Sequence, residues 1–141
     1  MKKIVGKYLG TIVILGTLLV AYDLKTNMQM LNTDLQVVQQ GFITSNKKGV
    51  ADAIERLAKH TQELLGNKEK FEKMLPKNKK EKANEAVMSA QIIAHNIQII
   101  RDAIVNKYNQ SETIRREEAQ RAYTYIEHAC FRCHNIVRDV N

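Results

Sequence analysis

The chain has no tryptophan, one proline, six glycines and two cysteines in 141 residues. Scarce Gly and Pro means few tight turns, and three Phe with five Tyr leave few of the aromatic residues that favour strands. A sheet protein is thereby disfavoured, whereas the Ala, Lys, Glu, Ile, Leu and Gln that fill the sequence suit helices. The expected class is all-α. Two cysteines three residues apart cannot tie distant parts of a fold together, which excludes a disulfide framework. Low-complexity sequence is confined to a Lys-rich stretch at 66–82, and 44% apolar with 26% charged residues excludes disorder as the main state.

The formal charge is +7, but Lys2, Lys3 and Lys7 lie ahead of a leading apolar segment. Residues 23–141 hold nineteen Lys and Arg against fifteen Asp and Glu, a net +4 too mild for a nucleic-acid partner. The run from Tyr8 to Tyr22 is fifteen residues without a charge, followed by Asp23. Basic residues before an apolar run of this length describe an export signal. Cleavage after Ala21 would place bulky Leu19 where a small residue is preferred, so residues 1–22 read as a signal peptide or, preferred here, an uncleaved anchor. Ile4 to Tyr22 is 19 residues, about 28 Å as a helix and close to the roughly 30 Å hydrocarbon core. Lysines kept on the cytoplasmic side place residues 23–141 in the periplasm, held to the inner membrane by residues 4–22.

From Leu24 the apolar residues fall at Leu24, Met28, Leu31, Leu35, Val38 and Phe42, alternating steps of four and three. That spacing marks the seam of a bundle helix, expected to end at Gly41 and the 44–49 stretch. A second seam is Val50, Ile54, Leu57, Thr61 and Leu64, stopped by Gly66. Residues 66–82, with Pro76, have no sustained period and read as a long connection, with Phe71, Met74 and Leu75 tucked under the helices. A third seam, Ala86, Ala90, Ile93, Ile97, Ile100 and Ile104, ends near Asn109. Asn109 or Ser111 can cap a last helix carrying Ala122, Ile126, Ala129, Cys133 and Ile136. The expected architecture is an up-down-up-down four-helix bundle behind an N-terminal signal or transmembrane helix.

The chemistry gathers at Cys130-Phe-Arg-Cys133-His134. Cys-x-x-Cys-His is the attachment signal of a c-type haem, in which two thiols form thioethers and the histidine ligates the iron. On a helix the three side chains share one face, and the export segment supplies the compartment such attachment needs. Three competing readings exist, the blandest a purely structural role for the two thiols and the histidine. A zinc site on Cys130, Cys133, His134 and His128 lacks a spaced second ligand pair, and a redox Cys-x-x-Cys lacks the βαβ pattern that accompanies it. A sixth iron ligand would come from a Met or His on another helix. Met28 lies on the first seam near its start, which in an antiparallel bundle adjoins the end of the last helix. Its alternative role is core packing. Met30 points about 200° away, Met74 is in the connection, and Met88 opens the third helix.

Asp23-Leu-Lys-Thr-Asn-Met28-Gln-Met-Leu31-Asn-Thr-Asp-Leu35-Gln-Val-Val resembles the first helix of the cytochrome b562 family, and His134-Asn-Ile-Val-Arg138 resembles its last turn. The stretch Ile92-Ile-Ala-His-Asn-Ile97 fits its third helix loosely. The resemblance implies Met28 and His134 as axial iron ligands. Cys130 and Cys133 depart from that non-covalent family and match the cytochrome c′/c556 family, four-helix bundles with Cys-x-x-Cys-His near the C-terminus and an Arg four residues on, as Arg138 is here. Five-coordinate haem that binds NO or CO is common in that second family, and aligning to it brings Met30 near the distal position as a fallback.

Other candidates carry less. His60 and His95 fit partly exposed positions, and His128, two residues before Cys130, points away from the haem-bearing face. Arg132, Arg138 and Arg121 could meet haem propionates, Arg138 above all. Lys77, Lys79, Lys80 and Lys82 form a cluster that could steer an acidic partner or simply be solvated. No catalytic constellation is visible, so an enzyme is not expected. The expectation is a monohaem c-type cytochrome with one covalent haem c and its iron, moving an electron between periplasmic or membrane redox proteins, with a homodimer compatible. Alternatives are a five-coordinate NO- or CO-binding protein and a haem-bearing accessory subunit of a membrane respiratory complex.

Overall fold

A computed structural model describes residues 24–137. The expected anchor at 4–22 and Arg138 lie outside the described residues. Those described form five α-helices and one 3-10 turn: α1 (Leu24–Ile43), α2 (Lys47–Leu65), α3 (Lys68–Met74), the 3-10 turn (Lys77–Lys82), α4 (Ala83–Ile104) and α5 (Glu112–Val137). The all-α class holds, with no strand among the described residues. α1 packs on α2, α2 on α4 and α4 on α5, the last pair most extensively. Small residues suit that close approach: Ser89 and Ala103 on α4, and Ala119, Ala122 and Ala129 on α5, are all buried. α1 and α5 do not close on each other in the same way. Their one ring contact is Phe42 edge-on to Tyr123, centroids 6.0 Å apart.

The seams of α2 and α4 are buried as the periodicity predicts, Ile104 alone staying half-buried. α1 differs. Its buried face is Asn27, Leu31, Asp34, Val38 and Gly41, while Leu24, Met28, Leu35 and Phe42 are only half-buried. The cause is the uneven cover on this helix. Positions 34 and 41 meet α2, and positions 28, 35 and 42 look toward the side where α5 stands off.

Two polar features lock α1 to α2. The buried Asp34 carboxylate accepts from Arg56 Nε at 3.2 Å and pairs with His60 Nδ1 at 2.6 Å. Asp34→Ala leaves Arg56 and His60 without their shared acceptor and is expected to lower stability by about 2 kcal/mol, since hydrogen bonds to charged groups contribute roughly 1.5–3 kcal/mol. Asp34→Asn, keeping one acceptor, should lose less, and urea midpoints of the two variants compare them directly.

The sequence ends α1 at Gly41 and the 44–49 stretch, and the helix runs through the glycine to Ile43, just ahead of that stretch. The glycine serves close approach instead. A Cβ there would fall 2.6 Å from Val50 Cγ2 and 3.2 Å from Val50 N. Gly41→Ala should therefore destabilise the chain by about 1–3 kcal/mol through overpacking, although alanine is the better helix former. A thermal midpoint that rises instead would contradict this.

The connection is more ordered than its lack of period implies. Asn67 caps α3 by accepting from Lys70 N at 2.9 Å, and Phe71 and Leu75 are buried, with Met74 half-buried. The helix was invisible to periodicity because seven residues make fewer than two turns. Gly66 does stop α2, its N–H reaching the Thr61 and Gln62 carbonyls. α4 ends at Ile104 rather than near Asn109, because Asn106 and Asn109 take left-handed conformations, φ 53° and 51°, that turn the chain. Ser111 Oγ then accepts from Ile114 N at 3.4 Å at the start of α5.

Candidate functional site

The stand-off between α1 and α5 opens a cleft at the end of the assembly where α1 begins and α5 ends. It holds about 170 Å³ of interior space, and about 760 Å³ counted out to its solvent-facing mouth. α1 contributes Met28, Leu31, Asn32 and Leu35, and α2 contributes Leu57 and Leu65. Ser89 comes from α4, and Glu127, Cys130, Phe131, Cys133 and His134 come from α5. Met28, Cys130, Cys133 and His134, four residues from opposite ends of the sequence, thus share one cleft. Both cysteines are free thiols, Cys133 buried and Cys130 half-buried.

The walls are apolar and the electrostatics follow from that. Burial pushes the Cys130 thiol up to about 11, with the neighbouring Cys133 and Glu127 adding to the rise. Burial also raises Cys133, a hydrogen bond with Ser89 works the other way, and Glu85 adds to the rise. Ser89 is almost wholly buried and donates to the Ala129 carbonyl at 3.2 Å, which fixes it beside Cys133. Glu127 accepts from Tyr123 Oη at 3.1 Å, which turns its carboxylate along α5. Raised thiols are the reverse of the depressed ones that disulfide-exchange sites use. Among the described residues no three His, Cys, Asp or Glu side chains gather as a site for a bare metal ion. His128 is exposed and outside the cleft lining, so it does not complete a zinc set with Cys130, Cys133 and His134.

The remaining candidates lie elsewhere. Met30 is half-buried on α1 and does not line the cleft, Met74 is half-buried in α3, and Met88 is 43% exposed. His95 is exposed, and His60 is held by Asp34. Arg132, next to Cys133, pairs with Glu85 at 3.4 Å. Arg121 lines a different groove of about 560 Å³ between α4 and α5, with His95, Asp102, Tyr108 and Tyr125, which contains neither thiol nor methionine. Sequence reasoning missed Ser89, Glu127 and the four leucines as cleft residues. Ser89 left a trace, a polar residue beside Ala86, Ala90 and Ile93 on a face whose only other buried polar residue is Asn96.

The donor set is one that a covalently attached ring with a metal at its centre would use. Two thiols one helical turn apart can anchor its edge, and a nitrogen and a thioether sulfur can approach from different helices. The residues present fit a covalently bound haem. Comparison of the chain with protein-family models, curated proteins and solved structures gives no match.

Proposed function

We propose that the protein is a monohaem c-type cytochrome that carries one electron between periplasmic or membrane redox partners. In this reading α1, α2, α4 and α5 are the four members of an up-down-up-down bundle, and residues 4–22 tie it to the inner membrane. Cys130 and Cys133 would hold the haem through their sulfurs, and His134 and Met28 would ligate its iron. The observation that carries the proposal is the convergence of Met28 with Cys130, Cys133 and His134 in one apolar cleft.

Bound there, haem c supplies a one-electron couple, raised in potential by a methionine partner. The chain's own residues do the rest. Leu31, Leu35, Leu57 and Leu65 exclude water, which limits the rearrangement that accompanies a change of charge. Ser89 and the Ala129 carbonyl keep the Cys133 turn of α5 in place. Phe131, 64% exposed at the mouth, presents an aromatic contact surface beside the site.

The five-coordinate, gas-binding reading has one observation in its favour: the same four leucines would give an apolar distal face if Met28 stayed in the core. Absorption spectra of protein matured in a periplasm, oxidised and reduced, with and without carbon monoxide, decide between the two. A sharp reduced α-band indifferent to carbon monoxide is expected. A broad high-spin spectrum that carbon monoxide shifts would move the protein to the gas-binding reading.

A further inference from the structure

The net positive charge of the described residues sits almost entirely in one place. Residues 68–82 hold seven Lys against three Glu, whereas the rest of 24–137 holds eleven Lys and Arg against ten Asp and Glu. This segment is not a loose loop. Phe71 is fully buried and Leu75 nearly so, and the 3-10 turn touches both α4 and α5. Lys68, Lys73, Lys77, Lys80 and Lys82 stay exposed around those anchors. The lysines therefore form a fixed patch, at the end where α1 and α4 begin, α2 and α5 end, and the cleft opens. Asp23 alone separates the uncharged Tyr8–Tyr22 run from Leu24, the first residue of α1. One residue spans at most about 3.6 Å, so a membrane that holds the run keeps this end of the molecule within reach of its surface, and charge contacts decide whether the patch seats there.

We propose that the lysine patch of residues 68–82 seats on anionic lipid headgroups, turning the cleft end of the protein toward the membrane. The choice of lipid over an acidic protein rests on the reading of residues 4–22 as an anchor. The patch itself does not. Lysines near an anionic leaflet are attracted within a Debye length, about 8 Å at physiological salt.

The absence of tryptophan makes the test clean, because a single introduced indole reports alone. Full-length Asn78→Trp, and Val105→Trp in a second sample, are mixed with vesicles of phosphatidylcholine alone or with added phosphatidylglycerol, each also made with bromine-labelled lipid. Asn78 is exposed within the patch, and Val105 is exposed just beyond the other end of α4. The expected result is quenching of the patch indole of Asn78→Trp by brominated lipid in the anionic vesicles, and none for the distal indole of Val105→Trp. The quenching should be lost at about 1 M salt, where the Debye length is about 3 Å. It should also be lost when Lys77, Lys79, Lys80 and Lys82 are all changed to Gln.

Flotation separates this proposal from the anchor reading. A chain that floats with neutral vesicles but leaves the patch indole unquenched in anionic ones keeps its anchor, overturns the lipid proposal and transfers the patch to an acidic protein. Flotation and patch-indole quenching with anionic vesicles alone would remove the anchor and leave the lipid contact standing. Flotation with neither overturns both.

Discussion

A chain with both Cys130→Ala and Cys133→Ala is expected to carry no haem that survives denaturation, with the haem-stained band lost completely from a denaturing gel. The two thiols face the same apolar cleft and are the only cysteines in the chain, so no other residue can form a thioether. The fold should persist. Cys133 is small and Cys130 only half-buried, so truncating each costs on the order of 1 kcal/mol. Helical circular dichroism measured beside the stain distinguishes lost attachment from lost folding. A haem-stained band from the folded double variant would refute covalent attachment at these positions.

Met28→Ala is expected to keep the haem attached and to make the reduced protein bind carbon monoxide where the parent does not. Met28 reaches the cleft from α1 while His134 reaches it from α5, so its removal vacates one side without touching the thiols or His134. The packing loss should be about 1–2 kcal/mol, below that of a fully buried methionine because Met28 is half-buried. Met30→Ala is the matched control, since Met30 does not line the cleft. An unchanged spectrum for Met28→Ala, with no carbon monoxide binding, would return Met28 to the core.

Much of this was legible in the sequence because α2 and α4 obey one rule along nearly all their length: apolar residues at steps of four and three end up buried, Ile104 excepted. α1 shows where that rule stops. Its buried face includes Asn27 and Asp34, which a search for apolar periodicity skips, and the buried Asp34 is tolerable only because Arg56 and His60 arrive from α2 to pair with it. Met28 and Leu35 are half-buried for a related reason, as the side they face is the cleft. Partial exposure of apolar seam residues on α1 is thus a trace of the site. Gly41 misleads because a glycine that stops a helix and one that admits a neighbouring Val50 look alike in sequence. Cys130, Cys133 and His134 were legible from local spacing alone. Ser89 and Glu127 were not, because their roles depend on how α4 and α5 pack.

The same asymmetry links the fold to the proposed function. Alanines draw α4 against α5, Asp34 and Gly41 draw α1 against α2, and the unclosed α1–α5 side leaves an apolar cleft bounded by a thiol pair and a methionine.

The most direct test of the central claim is the intact mass of the full chain after expression with a periplasmic haem-attachment system, followed by proteolysis. The account predicts a mass raised by one haem under denaturing conditions, with the addition confined to the peptide that contains Cys130 and Cys133. An unmodified mass, with both thiols free to alkylation and any haem removed by acid and organic solvent, would contradict it.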